Sequence, residues 1–365
     1  MKVSLRARGT LWRSIGFVLG FFAVPFLAAA APKQHDKPIG GVREQVRRAA
    51  RELANHPKRE EYTASPYQPS LIVARIKALE SQGAWDSLCA ELTGLPDGEL
   101  ELFEDEIRYP EHARRMGCAQ ALLARIDAHW TAAKARLDEV HPAVGDQDPI
   151  PSLPSRAIPV DFAKDNIFTD GGLRPGQIVI TFDDGPHPTR TPRILRILAT
   201  AGIKANFFQI GRNAATHSAV ARQVFDAGHP VGSHTFSHPN LAALAEPHAE
   251  IEIESGDSAV ALALGKKPGE LAFFRFPYGA KSPAEQKFVR DRGDTTFFWN
   301  MDSLDWRLRD PHKLFQNILA ELDRAKGGIL LMHDIQEQTV IVLPHLLREL
   351  KERGFETAHF VRAGR

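Results

Sequence analysis

From residue 178 to residue 359, short apolar runs rich in β-branched and aromatic residues alternate with stretches of helical spacing. This alternation constrains the fold more than any other feature of the chain. The apolar runs fall at 178–182, 205–210, 272–276, 296–301, 328–332 and 356–359. Helical spacing occupies 192–201, 214–227, 283–292, 312–325 and 344–353 between them. A run such as Ile178-Val-Ile-Thr-Phe182 is apolar on both faces, as in a strand covered above and below. Strand–helix alternation predicts a parallel sheet with helices on its faces. About seven such units fit the length, short of a complete eight-fold barrel. The expectation is an α/β fold, a distorted or incomplete (β/α) barrel.

The chain ahead of this part reads differently. Leu122, Ile126, Trp130, Ala133 and Leu137 form one face of a 3.6-period helix, and Leu71, Ile72, Ile76 and Leu79 suggest a shorter one. These stripes are core faces of a small, mainly α-helical region at 32–140, whose role the sequence does not disclose. Pro142, Pro149, Pro151, Pro154 and Pro159 remove donors and block helix and central strand, which predicts a linker at 141–164. The strand–helix part is then 165–365.

Lys2, Arg6, Arg8 and Arg13 precede a 13-residue apolar run, Ile15 to Leu27, and small residues follow it. This is the pattern of a signal peptide at 1–30, cleaved after Ala30. Retention as a membrane anchor is the competing reading, although the run is short for a span and contains Pro25. Either reading places the rest of the chain outside the cytoplasm: exported, in the periplasm, the cell envelope or the medium. Two cysteines in an exported chain, Cys89 and Cys118, favour one disulfide, with two free buried thiols as the alternative. The net charge of +1 gives no basic field for nucleic acid. A small molecule or a glycan is the expected partner.

Polar residues cluster where the apolar runs end. Asp183 and Asp184 close the first, side by side, and adjacent like charges raise one another's pKa unless a cation relieves them. His234 and His238 stand four apart, a spacing that lets two imidazoles share one metal. Pro239 disfavours helix at His238. His187, His217, His248 and His345 read as surface or core histidines. One Asp with two His makes three ligands with a position left open, the count of a catalytic rather than structural zinc site. The donors also suit cobalt, nickel or manganese.

Five motifs in order resemble those of the NodB-homology polysaccharide deacetylases, the fourth family of carbohydrate esterases. They are Thr-Phe-Asp-Asp-Gly at 181–185, His-Thr-x-x-His at 234–238, Arg-Phe-Pro-Tyr-Gly at 275–279, Asp-x-x-Asp-Trp at 302–306 and Leu-x-His at 331–333. The resemblance covers residues 175–360 and implies a barrel of the NodB-homology type. It implies Asp184, His234 and His238 as ligands of a divalent metal, zinc foremost. Asp183 would be the general base, oriented by Arg275, and His333 the general acid, tuned by Asp305. Trp306 and Leu331 would wall the acetyl pocket, and the backbone N–H of Tyr278 would help bind the oxyanion. The implied activity is hydrolysis of N-acetyl groups on an N-acetylated glycan, with peptidoglycan favoured over chitin oligomers or an exopolysaccharide. A glycan-binding protein on an inactive deacetylase fold is the alternative, disfavoured because every ligand and acid/base position is filled. A metallopeptidase is disfavoured by the lack of an HExxH helix.

Overall fold

The computed structural model describes residues 85–141, 150–160, 167–169 and 172–363. The segment read as a signal peptide, and the helix expected near 71–79, lie outside the described residues. The chain begins with α1 (Trp85–Thr93), α2 (Asp97–Leu100), α3 (Glu104–Arg108), α4 (Pro110–Arg115) and the long α5 (Ala119–Val140). Then follow β1 (Ser155–Val160), β2 (Ile167–Phe168), β3 (Gln177–Asp183), α6 (Arg190–Ala201), β4 (Asn206–Gln209), α7 (Gly211–Thr216), α8 (Ser218–Asp226) and β5 (Val231–Ser233). The remainder is α9 (Glu246–Ala263), β6 (Phe273–Phe274), α10 (Pro283–Asp291), β7 (Thr295–Phe297), β8 (Met301–Asp302), α11 (Pro311–Ala325), β9 (Gly328–His333), α12 (Glu337–Glu352) and β10 (Glu356–Arg362).

The strands form one sheet in which every pairing is parallel. Its order is β1-β10-β3-β4-β5-β6-β7-β2, with β9 on the far edge of β3 and β8 beyond it. One edge of β3 is shared: Gln177–Val179 pair with β10, and Thr181–Asp183 with β4. The Asn206 side chain closes this fork, donating to Phe360 O and accepting from Phe360 N, both at 3.0 Å. The result is the expected incomplete barrel.

The period of two along a strand sorts side chains into two layers. In β3, Ile178, Ile180 and Phe182 join the helix-side core, while Val179 joins an inner cluster with Phe208, Phe273, Phe297, Ile329 and Phe360. Thr181 and Asp183 share the face of Val179, so the inner layer changes from apolar to polar toward the strand ends. In β9 the same alternation turns Ile329, Leu331 and His333 inward. The candidate site residues therefore sit on an apolar floor at the carboxyl ends of the strands, where such folds place their sites.

Several elements differ from the sequence expectation. The linker predicted at 141–164 contains β1, which pairs with β10 along its whole length. Its Pro159 is tolerated because β1 is an edge strand. The helix expected at 344–353 begins at Glu337, with Pro344 inside it. Burial of Val340, Ile341, Val342, Leu343, Leu346, Leu347 and Leu350 outweighs the proline penalty of about 3 kcal/mol. The strand expected at 296–301 breaks into β7 and β8 around residues 298–300.

The N-terminal helices share the helix-side core. Leu122, Ile126, Ala133 and Leu137 of α5 belong to one apolar cluster with Ile180, Leu314, Phe315 and Leu346, and α5 packs on α11 and α12. Full burial of each larger side chain contributes roughly 1.5–3 kcal/mol. A Cys89–Cys118 disulfide joins the start of α5 to α1, and a loop of this size stabilises by roughly 3–4 kcal/mol. Removing residues 85–141 is expected to abolish cooperative thermal unfolding. A truncated protein that melted at the full-length temperature would show that the barrel does not depend on these helices. Among the described residues, no helix is long and apolar enough to cross a membrane.

Candidate active site

Adjacent strand residues point to opposite faces, so Asp183 and Asp184 would diverge if β3 simply continued. Instead Asp184 takes a left-handed backbone, φ 74°. This breaks the alternation and brings both carboxylates toward one imidazole: His234 Nε2 lies 3.6 Å from Asp183 Oδ2 and 3.6 Å from Asp184 Oδ1. Thr235, His238, Tyr278 and Leu304 also have positive φ, and each lies within or beside one of the sequence motifs. Unfavourable backbone conformations gathered at one place are characteristic of functional sites.

The segment at 234–238 is a loop, as the proline after it predicts. It is pinned on several sides. Glu252 of α9 accepts from Ser237 N and Ser237 Oγ, both at 2.8 Å, and Gly211 N and Arg212 N donate to Thr235 O and Phe236 O. Gly256 lets α9 approach, because a Cβ there would lie 2.3 Å from the Thr235 carbonyl carbon. So held, His234 and His238 bring their Nε2 atoms to 3.1 Å.

Asp184, His234 and His238 are buried, and one donor atom from each lies within 4.8 Å of the others. His234 Nδ1 is 2.7 Å from Arg275 O. A carbonyl only accepts, so Nδ1 carries the proton and the Nε2 lone pair faces the site. Burial holds His234 down at about 4, in its neutral form. His238 Nδ1 meets the Tyr278 hydroxyl at 3.2 Å, which directs its Nε2 to the same point. Neither oxygen of Asp184 accepts a hydrogen bond, although both are buried. An orphaned buried carboxylate facing two imidazole lone pairs is a donor set that fits a divalent cation.

Asp183 and His333 flank this centre. Arg275 is fully buried and donates from Nη1 to Asp183 Oδ1 and Thr181 Oγ1, each at 2.7 Å. Its Nε and Nη2 donate to Phe297 O and Phe298 O, both at 3.1 Å, and its plane lies 4.2 Å from the Phe208 ring centroid. On the other side, His333 Nδ1 lies 2.6 Å from Asp305 Oδ1. Asp305 Oδ2 accepts from His333 N at 2.7 Å and from Thr339 Oγ1 at 2.6 Å. Burial works to raise the Asp305 carboxyl, but His333 and these donors carry it below its ordinary value. Burial likewise works to lower His333, and the Asp305 charge overrides it, lifting the imidazole to about 9.

The raised value means that His333 stays protonated through neutral pH and loses its proton as pH rises through about 9. An Asp305→Asn variant is expected to lower the pH at which His333 loses its proton, read by NMR titration of the imidazole. An unmoved titration would mean that Asp305 does not set it.

Comparison with known proteins bears on what this arrangement belongs to. A family model described as polysaccharide deacetylase matches residues 170–295. A chitooligosaccharide deacetylase of Azorhizobium caulinodans is 36% identical over 193 residues, 49% of this chain and 90% of that protein. The chain belongs to the polysaccharide deacetylase family. A peptidoglycan-N-acetylglucosamine deacetylase of Listeria monocytogenes is 32% identical over 180 residues, which span only 37% of that longer protein. Among solved structures, the peptidoglycan deacetylase of Bdellovibrio bacteriovorus superposes with a TM-score of 0.77 at 29% identity, covering 89% of this chain and 96% of that one. These named relatives are hydrolases of amide bonds in polysaccharides.

Within this deacetylase frame, Leu331 stands two residues before His333 on the inward face of β9, and half-buried Trp306 follows Asp305. Tyr278 occupies a 3-10 turn, Pro277–Gly279, with φ 60°. Several contributors escaped the sequence reading. They include the Tyr278 hydroxyl against His238, Glu252 behind the histidine loop, and Asn213, whose Nδ2 donates to Asp184 O at 2.7 Å. Asp334 was also missed: it is fully buried, burial lifts it to about 7, and it accepts from Thr191 Oγ1 at 2.5 Å. His187 corrects an expectation. Nothing in the sequence gave it a partner, yet it is buried with Nε2 3.0 Å from Asp105 Oδ1. His345 is likewise buried, with Nε2 2.9 Å from Asp138 Oδ1. Partners 82 and 207 residues away leave no local signal.

Proposed function

We propose that this polysaccharide deacetylase is a metal-dependent enzyme that hydrolyses the N-acetyl group of N-acetylhexosamine residues, with peptidoglycan N-acetylglucosamine as the preferred substrate. The observation that carries the reading is the buried triad of Asp184, His234 and His238, flanked by a carboxylate on Arg275 and an imidazole on Asp305. Asp184, His234 and His238 would hold the cation. Zinc is the first choice for these donors, with cobalt, nickel or manganese able to use them. When bound, such an ion polarises the acetamide carbonyl and makes water more acidic.

The side chains perform the rest. Asp183, oriented by Arg275, takes the proton from the attacking water. The backbone N–H of Tyr278 donates to the oxygen that gains charge. His333, kept charged by Asp305, protonates the departing amine, which is a poor leaving group without that proton. Trp306 and Leu331 enclose the acetyl methyl. The expected place of action is outside the cytoplasm, at the cell envelope, as the N-terminal segment suggests. The named activities of the Listeria and Bdellovibrio relatives favour peptidoglycan, and the Azorhizobium relative keeps chitin oligomers as the next substrate to try.

The test is acetate release by purified protein from isolated peptidoglycan and from N-acetylglucosamine oligomers, before and after chelation and with zinc restored. Acetate that disappears with chelator and returns with zinc supports the proposal, and the faster substrate settles the preference. No acetate from either glycan, in protein shown to carry metal, points to the glycan-binding alternative.

A further inference from the structure

We propose that Asp105 and Glu104, on the N-terminal helices, are positioning residues of the active site. Through Arg190 and His187 they fix the two segments that leave Asp184 and His333. The inference rests on the roles proposed above for those two residues.

Arg190 is 5% exposed, and a buried guanidinium is tolerated only with good partners. Two of its carboxylate partners come from α3: Glu104 Oε2 at 2.9 Å from Nη2, and Asp105 at 2.9 and 3.1 Å from Nη1. The barrel offers Glu337 at 3.4 Å and the Ile335 carbonyl at 3.2 Å. Arg190 therefore joins α3 to the backbone two residues beyond His333. Trp130 Nε1 of α5 donates to the same Glu104 oxygen at 3.3 Å, so Glu104 is itself fixed by the helices.

His187 makes the second link, three residues beyond Asp184. The backbone N–H groups of Thr189 and Arg190 donate to its Nδ1 at 3.2 and 3.1 Å. That nitrogen is thus the acceptor, and Nε2 carries the proton and donates to Asp105; Arg190 Nη1, 2.9 Å from the same Nε2, turns its two hydrogens to Asp105 and Ile335 O instead. The two segments are also tied to each other. His187 N donates to Thr191 Oγ1 at 2.8 Å, and that hydroxyl donates to Asp334 Oδ2 at 2.5 Å. The Asp334 carboxylate lies so close over Gly185 that a Cβ there would fall 2.2 Å from it. A shift of His187 or Arg190 therefore passes to both segments.

A third contact follows the same design. Glu101, just before α3, accepts from Arg309 Nε at 2.6 Å, four residues beyond Asp305. One acidic stretch, 101–105, thus meets the continuations of two motif segments directly and reaches a third, beyond His333, through Arg190. The contacts lie outside the reacting groups, so they act by placement, and displacement of about 1 Å at such a site can cost roughly 10²-fold in rate.

The experiment compares full-length Asp105→Ala and Asp105→Asn with Arg125→Ala. Arg125 binds Asp97, Thr93 O and Leu95 O inside the helical region and touches none of the catalytic segments. It therefore reports destabilisation alone. Zinc affinity is read by chelator competition, and amide exchange of residues 185–191 and 333–337 is read on metal-free protein. Asp105→Ala is expected to weaken zinc binding by about tenfold, the scale of outer-shell losses, and to speed exchange in both segments. On the deacetylase substrate it lowers kcat with KM little changed. Asp105→Asn, which keeps an acceptor for His187, recovers part of each effect. Zinc affinity and exchange equal to those of Arg125→Ala would overturn the proposal and leave Asp105 a docking contact. The first two readouts need no turnover, so they still decide the matter if wild-type protein releases no acetate.

Discussion

An Asp183→Asn variant is expected to lose about 10²–10⁴-fold in kcat/KM for acetate release, the range typical of a lost general base, while keeping its metal. The reason lies in the contacts. Arg275 Nη1 donates to Asp183 Oδ1 at 2.7 Å, and an amide oxygen accepts the same bond. Asn is also nearly the same size, so the inner face of β3 keeps its shape. The proposed ligand set of Asp184, His234 and His238 does not include the altered group. What disappears is the ability to take a proton. Bound zinc and acetate release are measured on the same sample. If rate and metal content fall together, Asp183 is acting as a ligand. If metal and rate both persist, the base is another group.

The legible part of this chain was the part whose information is local. The apolar run that became β3 announced a covered strand, while Asp183 and Asp184 at its end, more often a solvated turn when met alone, pointed to a candidate site only together with His234, His238 and the family motifs. The stripe of α5 was legible for the same reason: Leu122, Ile126, Trp130, Ala133 and Leu137 are all buried. The motifs, taken with the family resemblance, led to Arg275, Asp305 and His333. Short elements were lost first. β5 is three residues long, too short to show a period, although it aims His234. β1 was hidden by Pro159, since a sequence does not say which strand will lie at an edge. Pro344 hid the first two turns of α12 in the same way. Longer-range chemistry left no trace either. His187 looked partnerless because Asp105 lies 82 residues before it in sequence. The left-handed Asp184 and Tyr278 could not be foreseen from residue type, because non-glycine residues adopt positive φ only where their surroundings compel it.

The largest expected effect on stability comes from Arg275. Replacing it with Met, similar in length but uncharged, is expected to cost about 3–5 kcal/mol, the scale for breaking a buried pair from one side. Arg275 is fully buried and stacked on Phe208, and it supplies donors to Asp183, Thr181 and the carbonyls of Phe297 and Phe298. Met fills much of the space but answers none of those acceptors. Asp183 then stands beside Asp184 without its directly bonded cation. The loss should therefore depend on metal. In chelated protein only the His333 imidazolium, 3.9 Å from Asp184 Oδ2, offsets the two carboxylates, and the drop in melting temperature should be greatest. With zinc restored, charge at Asp184, His234 and His238 offsets part of the deficit, and ligand binding adds stability by mass action. Activity should fall in either case, because the base has lost its orientation. The comparison is a pair of melting curves, chelated and zinc-loaded, for wild type and Arg275→Met. A larger zinc-induced rise in the variant is the expected result. Equal rises would mean that Arg275 and the metal do not share the task of balancing these two carboxylates, and that the guanidinium serves chiefly to close the strand ends.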